Sequence, residues 1–110
     1  DILQYIDSMS KRSLALITDS VEAFLRRDYS LADSIVDKAN NMRQFENEVL
    51  SHIDNSESSS SGSRNLNIKL ILEDIRRTAE HASDIAEAAM NQTIRGIIDL
   101  NKSSRLSNTS

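Results

Sequence analysis

The stretch Ile75-Arg76-Arg77-Thr78-Ala79-Glu80-His81-Ala82-Ser83-Asp84-Ile85-Ala86-Glu87-Ala88-Ala89 decides the fold. Ile75, Ala79, Ala82, Ala86 and Ala89 recur at alternating steps of four and three, the spacing of a helix face packed against other helices. The same seam extends back to Ile71 or Leu72 and Ile68, and forward to Thr93, Ile97 and Leu100. The predicted helix covers residues 64–101 and would span about 55 Å at 1.5 Å per residue. Its middle is almost all alanine, and small side chains let neighbouring helices approach closely. Beside the seam runs a polar stripe of Glu73, Arg77, Glu80, Asp84, Glu87 and Asn91.

Two more periodic segments precede it. Residues 2–27 carry Ile2, Ile6, Met9, Leu16, Ile17, Val21, Phe24 and Leu25 at helical spacing. The run Asp28-Tyr29-Ser30 breaks the pattern, with Ser30 expected to cap the next helix and Asp33 three residues on as a loose capping box. Residues 31–53 then show the seam Ala32, Ile35, Ala39, Met42, Glu46, Val49 and Ile53, in which one member is a carboxylate. A Ser-rich stretch, residues 54–63, reads as a flexible linker, and the polar tail at 102–110 is expected to fray.

Composition supports helices and little else. There is no proline, and the two glycines are Gly62 and Gly96, so the turn chemistry of a many-stranded β protein is missing. Aromatics make up only 4%, leaving a core of aliphatic residues, alanine and methionine. The chain is therefore expected to be all-α: one antiparallel three-helix bundle with the third helix longest. The short first connection makes helices 1 and 2 antiparallel neighbours. The overhang of helix 3 would leave Ile97, Ile98 and Leu100 for a partner chain, which predicts a homodimer.

Several function classes fall away. With no cysteine, disulfides, thiol catalysis and thiolate zinc sites are excluded. A net charge of −4 with mixed signs argues against direct nucleic-acid binding. No apolar run approaches the roughly 20 residues of a membrane span, and no signal peptide is seen, so a cytoplasmic protein is expected. The chain starts at Asp1 without methionine, as a domain cut from a longer protein would.

The chemistry that is visible is acidic. Glu80, Asp84 and Glu87 share a helix face, and Glu46 could join them from helix 2. Oxygen-rich clusters of this kind take hard or borderline divalent cations, although a solvated polar face gives the same spacing. The two histidines add little. Thr78, not a glutamate, stands three residues before His81, and Glu48 with His52 reads as a surface pair. The pairs Arg26-Arg27 and Arg76-Arg77 read as ordinary surface charges, the alternatives being a partner contact or an anion site. There is no glycine-flanked serine elbow and no phosphate-cradling loop, so no enzyme is expected.

The run from Asp74 to Glu87 resembles the third helix of the PhoU domain, whose usual pattern is Asp-Leu-Glu-Arg-Ile-Gly-Asp-His-Ala-x-Asn-Ile-Ala-Glu. Asp74, Arg77, His81, Ala82, Ile85, Ala86 and Glu87 match it, with Glu80 for the family aspartate and Ala79 for the glycine. Asp28, Ala32, Val36, Asn40 and Glu46 are similar to the family's second helix. The resemblance implies a three-helix bundle that regulates phosphate uptake by restraining a phosphate transporter and its sensor protein. It also implies that relatives pair or dimerise, that some archaeal ones carry a DNA-binding AbrB-type domain, and that acidic motifs can hold iron or zinc clusters. Here the motif glutamate is Arg76, which repels a cation. Glu80-x-x-x-Asp84 restores an acidic pair one turn later. The metal set is then Glu46, Glu80, Asp84 and Glu87, for iron, zinc or another divalent ion, expected to bind weakly or not at all while partner binding is retained. A generic helical dimerisation or signalling bundle without ligand is the competing reading.

Overall fold

The turn between the first two helices is made by two residues. Arg27 takes the left-handed conformation, with φ of 55°. The Asp28 N–H then donates to the Ala23 carbonyl at 2.9 Å and the Arg27 N–H to that of Phe24 at 3.4 Å, the paired bonds that close a helix C-terminus. Asp28 also starts the next helix, because its Oδ1 accepts from the Leu31 N–H at 3.0 Å. The expected cap, Ser30, therefore lies inside the helix. Asp28 captures the role because its carboxylate stands three residues before Leu31, whose N–H has no partner within the first turn.

In this computed structural model, which describes residues 2–55 and 62–108, the helices are α1 (Ile2–Arg26), α2 (Tyr29–Asn55) and α3 (Gly62–Asn108). All described residues outside the turn at 27–28 are helical. The ends of the expected linker belong to helices, and its middle lies outside the described residues. The tail expected to fray is helical as far as Asn108, since no proline or glycine after Gly96 stops it. The cross-helix pairs Arg43 with Glu80 and Glu46 with Arg76 have nearly constant number sums, as antiparallel α2 and α3 require. The result is a rod of 78 × 18 × 17 Å in which α3 packs along both other helices.

The α2 seam is buried at every predicted position, Glu46 included. On α3 the buried members are Ile68, Leu72, Ile75, Ala79, Ala82, Ala86 and Ala89, so Leu72 rather than Ile71 is the inward residue. On α1 the stripe is Met9, Ser13, Leu16, Ser20 and Ala23. Val21, Phe24 and Leu25, expected in the core, are exposed. Two serines take their place. Ser13 Oγ donates to the Ser10 carbonyl at 2.9 Å, and Ser20 Oγ to that of Ile17 at 2.8 Å. A hydroxyl satisfied by its own helix can enter the core as a small residue.

Candidate functional site

The helix periodicity delivers one carboxylate, Glu46, to the α2–α3 seam, where it is 5% exposed. Burying an unpaired carboxylate is costly, so a partner must reach it. That partner is Arg76 on α3. Its Nε donates to Glu46 Oε1 at 3.3 Å and stands 3.0 Å from Oε2. Arg76 Nη1 reaches Glu80 Oε1 at 2.9 Å, one turn along α3. The same oxygen accepts from Arg43 Nη2 of α2 at 2.7 Å. Two guanidinium groups and two carboxylates thus alternate across the seam as Arg43, Glu80, Arg76 and Glu46, with their charges balanced.

The electrostatics follow from burial. Desolvation pushes the Glu46 carboxyl above its ordinary value of 4.5, and the attraction of Arg76 only partly offsets this. Glu80 and Glu73 push it the same way as desolvation. Glu80 lies nearer solvent and is held below the usual carboxylate range by its hydrogen bonds from Arg43 and Arg76. Its hydrogen bond to Glu80 and the charge of Glu46 in turn hold Arg76 more firmly protonated. Beside the network opens a cleft of about 310 Å³, walled by Asn40, Ser83 and Asp84 among others.

The expected metal set is therefore only partly gathered. Glu46 and Glu80 meet through Arg76, Asp84 lines the adjoining cleft, and Glu87 is exposed beyond it. A divalent ion needs several oxygen lone pairs aimed at one point. Here the guanidinium of Arg76 occupies that point. Among the described residues no three histidine, cysteine, aspartate or glutamate side chains come together as a metal-holding group. The residues present do not fit a metal. His52 and His81 are both exposed.

The arginine pairs divide. Arg26 with Glu22 at 3.0 Å and Arg77 with Glu73 at 2.9 Å are pairs within one helix, as surface charges should be. Arg76, read as their equal, is the cross-helix partner of a buried acid. The signal that finds it is Glu46 itself, since a carboxylate at a seam position demands a cation from the facing helix. Arg43 carries no such signal, because its partner Glu80 is half-exposed and lies on another helix.

The family model of the PhoU domain matches residues 6–89. The chain belongs to the PhoU domain family. No match was found among curated proteins or among solved structures. The matched span ends at Ala89, within α3. The PhoU family is regulatory and tied to phosphate homeostasis. No helix among the described residues is long and apolar enough to cross a membrane.

At the base of the overhang a cleft of about 470 Å³ is lined by Arg27, Gln92, Thr93, Ile97 and Leu100 among others. Ile97, Ile98 and Leu100 are exposed, Leu100 to 72%. Gln92 Oε1 is buried there without a hydrogen-bond donor among the described residues.

Proposed function

We propose that this PhoU domain regulates phosphate uptake by protein contact, binding a phosphate transporter or its sensor protein in the cytoplasm. The observation that carries this reading is the PhoU match across all three helices. The exposed end of α3 adds support. Ile94, Ile97, Ile98 and Leu100 are all exposed on this part of the helix. Isolated exposed leucines are common, but a run of them on one protruding helix marks a contact surface. In this proposal the same surface pairs two copies of the chain.

The test is radiolabelled phosphate uptake in the source cells at high external phosphate, with and without the gene. Loss of the gene is expected to raise uptake, and the wild-type chain to restore restraint. Uptake indifferent to the gene would leave the competing reading, a helical dimerisation bundle unconnected with phosphate.

A further inference from the structure

Glu46 is the one carboxylate among the described residues that is buried in the seam, and its Oε2 has no hydrogen-bond donor among them. An acid so placed needs a positive charge in contact with it. Arg76 supplies that charge from one side, and its other nitrogen holds Glu80. We infer that the Arg76 guanidinium is the resident cation of this carboxylate pair, standing where a divalent metal ion would stand, and that the pair becomes a metal site only when Arg76 is removed.

The geometry gives three reasons. First, arginine already stands against both carboxylates: Glu46 Oε1 and Glu80 Oε1 accept from Arg76, the latter also from Arg43, and Glu46 Oε2 lies 3.0 Å from Arg76 Nε. Second, the four charges balance, so an approaching divalent ion meets two guanidinium groups and gains nothing from the network's net charge. Third, truncating Arg76 changes both conditions at once. It uncovers Glu46 towards the cleft that Asp84 and Ser83 already line, and it leaves a net negative site with spare oxygens. Manganese or zinc, as small divalent ions that accept carboxylate and water ligands, are the fitting class. This inference is independent of the phosphate reading, because it concerns what closes α2 on α3.

Thermal unfolding tests it, with wild type and Arg76→Ala melted in chelator and then in excess Mn²⁺ or Zn²⁺. The wild-type Tm is expected not to move with metal. Arg76→Ala is expected to melt lower in chelator and to recover much of that loss with metal. The double variant Arg76→Ala with Glu46→Gln is expected not to recover. Should Arg76→Ala be unfolded in chelator, far-UV circular dichroism reads the same result as metal-induced folding, and Arg76→Gln repeats it with less loss of packing. A wild-type Tm that rises with metal and stops rising in Glu46→Gln overturns the inference. So does failure of metal to stabilise or fold both Arg76 variants.

Discussion

Arg27 holds a left-handed conformation that costs an L-residue about 1–2 kcal/mol, and the turn keeps it because Asp28 must serve two helices at once. Arg27→Gly removes that strain at the expense of extra freedom in the unfolded chain. Chemical denaturation should show a net gain of about 0.5–1 kcal/mol. Asp28→Ala should cost about 1 kcal/mol or more, because the Leu31 N–H loses its acceptor. The arginine at the seam sets a different residue-scale expectation. Glu46 has a folded pKa above its ordinary value, so its contribution to stability is present below about pH 4.5 and is lost as pH rises through the raised value. Glu80 has the opposite sign. Its depressed pKa contributes stability above pH 4.5 that disappears as pH falls through the folded value. The groups facing Glu46 are Arg76, Glu80 and Glu73, all on α3. The change in denaturation midpoint from about pH 4 to pH 7 should therefore be more positive in Glu46→Gln than in wild type, because the substitution removes only the loss that Glu46 brings. An identical change in the two proteins would mean that Glu46 is not the buried acid described above.

Among the elements, α3 depends on closeness. Ala82 and Ala86 are fully buried against the other helices, so Ala86→Leu should force them apart and cost about 1–3 kcal/mol. Removing Arg76 loosens the α2–α3 contact in another way, by leaving Glu46 buried without its cation. Arg76→Ala should cost about 3 kcal/mol by urea titration, the low end for a broken buried pair because Glu46 can take up a proton. How much of each helix is legible in the sequence depends on what fills its seam. On α2 the apolar spacing is unbroken, and every member reads correctly, including the acid. On α1 the stripe runs through Ser13 and Ser20, which a hydrophobic pattern skips, so the reading slides round the helix to Val21, Phe24 and Leu25. The acidic cluster on α3 is legible as a cluster but not as a salt-bridge network. Helical spacing on one chain segment says which residues share a face, and Arg43 arrives from another helix.

For the whole molecule the third helix sets the shape. A helix of 47 residues cannot be covered along its length by α1, which has 25, or by α2, which has 27, so its end runs beyond them. If that end pairs two copies, sedimentation velocity should show a dimer for wild type and a monomer for Ile97→Glu combined with Ile98→Glu, with the bundle's helicity unchanged. A wild-type monomer at high concentration contradicts the pairing and leaves the surface to another protein. Family membership is written in the helices that the bundle shares, and so is legible in the sequence. The pairing of the acidic face is less legible, because Glu80 is held by Arg76 on its own helix and by Arg43 from the facing one. The most direct measurement is elemental analysis by mass spectrometry of the chain, produced with iron, zinc and manganese in the medium and purified without an affinity metal column. Folded protein with no stoichiometric metal is the expected result, because Arg76 already holds Glu46 and Glu80. Stoichiometric iron, zinc or manganese that vanishes in Glu46→Gln would contradict it.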